Sequence, residues 1–286
     1  MCSETCCSRE IKQYVNFIES EIKNITVRSV RIGDNEFDDF KNTLTLHPFE
    51  QIKYVCNRLK QNPAFHAGYN AVGLSQGALS LRGLAQTCPF PKMLNLISLS
   101  GPHQGVNQFP RCKQQFGASQ CAFFKQSINF KAYKPPRISD GIMTVRQIIF
   151  RVMQKVIAPL AYWHGTDEER YKQGSTFLAV LNNERRYNAN YVKNLQSLRR
   201  LVLVKYKDDI SLIPNESSWF GFEDESGNLQ KMEETRVYTE NKLGLRQMLN
   251  DGRLIRLESP LEHLQLDENW FRENIISILR EQRIYS

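Results

Sequence analysis

The segment Gly73-Leu74-Ser75-Gln76-Gly77 constrains the fold more than any other part of the chain. It is preceded by Tyr69-Asn70-Ala71-Val72, a short apolar run with the character of a buried strand, and followed by a helix-like run from Ala78 to Gln86. A G-x-S-x-G pentapeptide between a strand and a helix reads as a turn so tight that side chains at the glycine positions would clash. Such a turn thrusts the Ser75 hydroxyl above the edge of a sheet. A serine that merely caps a helix would require neither glycine.

Other segments supply the rest of the framework. Ile11, Tyr14, Val15, Phe17, Ile18 and Ile22 recur at helical spacing, and Val27 to Ile32 reads as a short strand. Ile52, Val55, Cys56 and Leu59 predict a helix ended by Pro63. Met93 to Leu99 is a second buried strand, closed by the turn signal Ser100-Gly101-Pro102. From about 104 to 199 the texture changes to helical pieces around 145–157 and 190–198, which reads as an insertion. Leu201 to Tyr206 and Arg253 to Glu258 return to strand character before a terminal amphipathic helix with Trp270, Phe271, Ile275, Ile276 and Leu279. Strands alternating with helices predict an α/β fold, a mostly parallel central sheet flanked by helices, in one domain over 1–286.

A serine hydroxyl becomes a useful nucleophile only beside a histidine base that a carboxylate orients. With this kind of elbow the chain order is serine, acid, histidine. Of the five histidines, His47 and His66 precede Ser75, and His103 and His164 precede the strand that should carry the acid. His263 remains, in a loop between the last strand and the terminal helix. The strand 201–206 runs into Asp208 and Asp209, and spacing does not choose between them. The backbone N–H of Gln76, after the serine, is the expected first donor to an oxyanion.

The seven cysteines lack the paired spacings of a zinc site, leaving disulfides or unpaired core thiols. Asn24-Ile25-Thr26 and Asn215-Glu216-Ser217 are sequons, so Asn24 and Asn215 are candidate glycan acceptors. No run approaches the ~18 to 20 apolar residues of a transmembrane span. The charge of +8 comes from scattered residues without interleaved aromatics, which argues against a nucleic-acid partner.

The chain resembles the lysosomal palmitoyl-protein thioesterases over essentially its whole length. The resemblance rests on residues 68–77 (GYNAVGLSQG), 95–106 (NLISLSGPHQGV), Trp219-Phe220-Gly221-Phe222 and His263-Leu264-Gln265-Leu266. Pro110-Arg111-Cys112, Tyr162-Trp163-His164 and the stretch 238–245 are also similar. It implies an α/β-hydrolase fold and a Ser75, Asp209, His263 triad, with Asp208 as the fallback acid. It implies the pairings Cys6 with Cys7, Cys56 with Cys88, and Cys112 with Cys121, leaving Cys2. It implies hydrolysis of long-chain acyl thioesters on cysteines of S-palmitoylated proteins or peptides during lysosomal degradation, with no metal or other cofactor, in a protein of the lysosome that is also secreted. In the family the second oxyanion donor follows an early strand, and Met1 aligns with the methionine of that segment. The expectation is therefore that the signal peptide and that strand lie outside this sequence. The insertion's apolar residues, among them Phe109, Phe123, Phe124, Ile148, Ile149, Phe150, Val152, Leu160 and Phe177, are either an acyl groove or the insertion's own core, the core being the default. His103 and Gln104 either shape the pocket or bond structurally. Competing readings are a related lipase, an acyl-CoA thioesterase, or a truncated, impaired lipid-binding form.

Overall fold

A computed structural model describes residues 5–108, 145–165 and 167–280, with 145–150 as backbone. Helix α1 (Arg9–Glu21) begins where the Ser8 hydroxyl accepts the Ile11 N–H. Helices α2 (Glu36–Thr45) and α3 (Pro48–Gln61) follow, then strand β1 (Tyr69–Leu74), α4 (Gln76–Thr87) and β2 (Met93–Leu99). Helices α5 (Val145–Val156) and α6 (Ala189–Gln196) lie between β2 and β3 (Arg200–Tyr206). A small antiparallel pair, β4 (Phe222–Glu223) and β5 (Leu229–Gln230), precedes β6 (Leu254–Ser259) and a C-terminal helix over 268–280.

The main sheet has the order β1-β2-β3-β6, and every pair in it is parallel. Parallel strands need covered faces on both sides, and alternation along each strand supplies them. Ile97, Leu99, Val202 and Val204 pack with Tyr14, Phe17, Ile18, Phe271 and Ile275 of α1 and the C-terminal helix. Leu96, Leu201 and Leu203 turn to the other side, toward Ile52, Val55, Leu79 and Leu84 of α3 and α4. The registers Leu74 to Leu99, Leu99 to Val204 and Val204 to Leu257 bring the carboxyl ends of all four strands to one edge. In open α/β sheets that edge is where ligands bind.

Two sequence expectations require correction. Val27 to Ile32 joins no sheet among the described residues; it and Val72, Gly73 and Leu74 of β1 all line one cavity of about 240 Å³. Side chains hold the segment instead: Ser29 Oγ donates to Cys6 O (2.7 Å), and Ile32 N–H donates to Asp39 Oδ1 (2.7 Å). Cys6 and Cys7 are free thiols rather than a bonded pair. Adjacent Cα atoms lie about 3.8 Å apart, inside the roughly 4.4 Å minimum of ordinary disulfides. Burial, then the hydrogen bond with Cys7 and the nearby Asp39 charge, push the Cys6 thiol up to about 12. Cys56 of α3 is bonded to Cys88 at the end of α4; Cys112 and Cys121 lie outside the described residues.

Helix α2 has no clear sequence signature because its buried residue is a carboxylate. Asp39 is 3% exposed, and its Oδ2 accepts the Cys6 N–H at 2.7 Å while its Oδ1 holds Ile32. Two segments far apart in the chain thus close on one charged acceptor. We predict that Asp39→Ala destabilises the protein by about 3 kcal/mol, since both amides lose a charge-assisted partner while buried. Asp39→Asn, which keeps an acceptor, should cost less. Urea unfolding at constant m measures the difference, and a shift under about 0.5 kcal/mol for the alanine variant would refute the tie.

Candidate active site

The edge formed by the strand carboxyl ends collects one polar residue after each strand: Ser75 after β1, Ser100 after β2, Asp209 beyond β3 and His263 beyond β6. Backbone bonds carry the ladders into these loops, with Ser75 N–H to Leu99 O (2.8 Å), Ser100 N–H to Val204 O (2.9 Å) and Lys207 N–H to Ser259 O (2.9 Å). The site is therefore assembled by strand register.

Ser75 has φ 52° and ψ −120°, a conformation that costs on the order of 1 to 3 kcal/mol for a residue with a side chain. Its surroundings impose it. A Cβ on Gly73 would come within 2.5 Å of Ala78 Cα and 2.8 Å of Ala78 N, so only glycine lets β1 pass so close to α4. Gly77 differs: nothing lies within 4 Å of its missing Cβ, and the clash expected there does not exist. Gln76 opens α4, and its side chain clamps the elbow from two directions. Its Oε1 accepts from the Tyr162 hydroxyl (3.1 Å), and its Nε2 donates to Thr43 O of α2 (3.0 Å).

Asp209 and His263 meet directly, with Nδ1 of the imidazole 2.5 Å from Oδ2 of the carboxylate. The two loops are also joined through their backbones, Asp208 N–H donating to Leu261 O (3.2 Å). Asp209 is buried and Asp208 is exposed, which settles which neighbour faces the histidine. Oδ1 of Asp209 accepts the N–H groups of Ser211 (2.8 Å) and Leu212 (3.0 Å). Burial raises the affinity of this carboxyl for a proton, but the bonds from His263, Ser100 and Leu212 outweigh it and hold the group below the usual carboxylate range. From α1, the Tyr14 hydroxyl contacts the Tyr206 hydroxyl (3.1 Å) and donates to Leu264 O (3.3 Å), fixing the loop that follows His263.

Ser75 Oγ and His263 Nε2 are both buried, and among the described residues neither has a hydrogen-bond partner. The structure thus joins the acid to the histidine but not the histidine to the serine. In unliganded sites that last bond is commonly long and tightens only around substrate. Two orphaned polar atoms at one sheet edge form a combination able to deprotonate a hydroxyl, attack an acyl carbon and return a proton to a leaving group.

The sequence places Ser100 in the turn after the second strand and in the 95–106 segment of the resemblance, with no role at the site. In the structure it has φ 50°, and its hydroxyl lies 2.5 Å from Asp209 Oδ2 and 3.2 Å from His263 Nδ1. No spacing rule could have found it, because its partners lie 109 and 163 residues away. His103 and Gln104 have structural bonds. His103 is fully buried, its Nε2 is 2.7 Å from Ser98 Oγ, and its ring stacks on Phe220 at 4.8 Å. Burial and then the Arg82 charge hold it well below the usual imidazole range. Gln104 O lies 2.6 Å from His164 Nδ1. Leu160 and Phe177 belong to the core and Val152 is exposed; Met1, Phe109, Phe123, Phe124 and the side chains of Ile148, Ile149 and Phe150 lie outside the described residues. Asn24 is exposed, whereas the Asn215 amide donates to Tyr206 O and Lys207 O (both 3.3 Å) and Ser217 of its sequon is buried. Among the described residues no group of three or more His, Cys, Asp or Glu could hold a metal ion, and no helix is long and apolar enough to cross a membrane.

Comparison with known proteins gives this arrangement a context. Residues 2–263 match the family described as palmitoyl protein thioesterase. The chain is 34% identical over 277 residues to palmitoyl-protein thioesterase 1 of Caenorhabditis elegans, covering 95% of this chain and 87% of that protein. It is 30% identical over 252 residues to palmitoyl-protein thioesterase 3 of Dictyostelium discoideum, covering 87% and 78%. It is 29% identical over 224 residues to lysosomal thioesterase PPT2-B of Xenopus laevis, covering 76% and 69%. With a parallel α/β sheet, a serine on a strained elbow and an aspartate-held histidine at the same edge, the chain belongs to the palmitoyl protein thioesterase family.

Proposed function

We propose that this enzyme hydrolyses the thioester linking long-chain fatty acyl groups to cysteines of proteins or peptides, in lysosomal degradation, through an acyl-enzyme on Ser75. His263 Nε2 takes the Ser75 proton as Oγ attacks the acyl carbon. Asp209 holds the imidazole in the tautomer that leaves Nε2 free and stabilises the imidazolium. The Gln76 backbone N–H, at the start of α4, donates to the oxyanion, and Met1 is the candidate for the second donor. The tetrahedral intermediate expels the cysteine thiolate, which takes the proton from His263. Water then gives a proton to Nε2 as its oxygen attacks the acyl carbon; the second tetrahedral intermediate breaks its bond to Oγ, Oγ takes the proton back from Nε2, and the fatty acid leaves with Ser75 regenerated.

The contact between Asp209 and His263, at the sheet edge that also carries a serine whose hydroxyl has no partner among the described residues, carries this reading. A cavity of about 240 Å³, mainly apolar in its lining, reaches Gly73, Leu74, Gln76 and Gly77 on either side of Ser75 in the chain, though Ser75 itself does not line it. Family membership supports the thioester, and the lysosomal relatives support the compartment, where Asn24 would carry a glycan and the protein would also be secreted. The test is turnover of an S-palmitoyl-cysteine peptide against palmitoyl-CoA and a neutral palmitoyl oxygen ester. We expect the peptide thioester to have the highest kcat/KM. Removing four methylenes should lower it about two hundredfold, at roughly 0.8 kcal/mol for each buried methylene. Preference for the CoA thioester or the oxygen ester would overturn the substrate class.

A further inference from the structure

The carboxylate of Asp209 has more donors than acyl transfer requires. Two backbone N–H groups occupy Oδ1, and His263 Nδ1 and the Ser100 hydroxyl share Oδ2. A carboxylate has about four acceptor sites, so Ser100 takes the last. The chain holds Ser100 in the left-handed region, at φ 50°, to do so. Its contact with Asp209, at 2.5 Å, is much shorter than its contact with His263, at 3.2 Å, so donation to the carboxylate is its dominant interaction.

We propose that Ser100 is a positioning residue that completes the donor shell of Asp209 and thereby weakens the carboxylate's hold on the protonated imidazole, lowering the pH at which His263 Nε2 is free to accept a proton. This deepens the triad reading above and rests on it. The sign follows from electrostatics. A donor on Oδ2 withdraws charge from the carboxylate, the imidazolium is stabilised less, and the neutral base persists to lower pH. The effect suits hydrolysis in an acidic compartment. Other titratable groups around the pair come from three directions: Tyr206 from β3, with Tyr14 of α1 behind it; Glu10 of α1 and Asp267, which share an open depression with His263; and exposed Asp208. None of them places a hydroxyl donor on Oδ2 as Ser100 does.

The test is a histidine ring titration by NMR on the whole chain, with His263→Gln to assign the resonance. Ser100→Gly is the main variant, because glycine adopts φ 50° freely and loses only the side chain; Ser100→Ala repeats the loss with a Cβ retained. We expect the His263 midpoint to rise by about half a unit, roughly a threefold gain in proton affinity, in both variants. The acid limb of kcat/KM should move by the same amount. A midpoint within about 0.2 unit of the unsubstituted protein, or below it, in the folded glycine variant overturns the proposal. Labelling of Ser75 by a fluorophosphonate probe, run in parallel, reports on the triad alone: its absence would count against the nucleophile while the titration still decides the role of Ser100.

Discussion

Ser75→Ala is expected to reduce thioester hydrolysis on the order of 10⁶-fold while leaving the protein as stable as before or slightly more so. The loss of activity follows because Ser100, the other serine that directly follows a strand at this edge, is committed to Asp209 and is not free to replace it. When a nucleophile acts as one unit with its base, deleting it removes nearly all of the unit's effect, and oxyanion stabilisation and binding leave a small residue. The stability outcome is set by Ser75, which is 2% exposed and whose hydroxyl has no hydrogen-bond partner among the described residues. Removing an unsatisfied buried polar atom costs nothing in lost bonds, and alanine retains the same backbone conformation. Single-turnover kinetics and thermal melting measure the two halves separately. Activity within tenfold of the unsubstituted enzyme would remove Ser75 from the mechanism, and a large fall in stability would show that its role is structural.

Asp209→Asn should lower kcat by about 10⁴-fold, and Asp208→Asn should change it less than about threefold. The aspartate Oδ1 accepts two backbone N–H groups, and an amide oxygen can do the same, so the loop should keep its shape. That leaves the amide NH₂ facing His263 Nδ1. A donor there forces the proton of the neutral ring onto Nε2, the atom needed as base, and withdraws the charge that stabilises the imidazolium. Asp208 is exposed, and its backbone N–H, which the substitution leaves intact, makes the bond to Leu261 O. Steady-state kinetics on both variants distinguish the two aspartates. A larger loss from the Asp208 variant would reverse the assignment of the acid.

Periodicity made much of the framework legible. The helical spacing of Tyr14, Phe17 and Ile18 in α1, and of Ile52, Val55 and Leu59 in α3, reflects burial of one face, and the apolar runs of β1, β2 and β3 reflect the sheet's interior. Helix α2 escaped this logic because its inward residue is Asp39, and Val27 to Ile32 misled it because apolar alternation says nothing about whether a partner strand lies within reach. The elbow was readable because Gly73 answers a local clash with Ala78, five residues on. Gly77, in open space, shows that the same pattern can be met at a position where sterics do not demand it.

What the sequence determined by itself was therefore local or ordered along the chain: the strand, turn and helix around Ser75, and the single histidine late enough to serve it. What the tertiary structure alone decided was long-range. It turned Asp209 inward and Asp208 out, brought Ser100 onto Oδ2 of Asp209, and left Cys6 and Cys7 unbonded. The physical reason is that hydrophobic period and turn chemistry act over a few residues, whereas the hydrogen bonds of the site join side chains more than fifty residues apart, and only the packed sheet sets their distances.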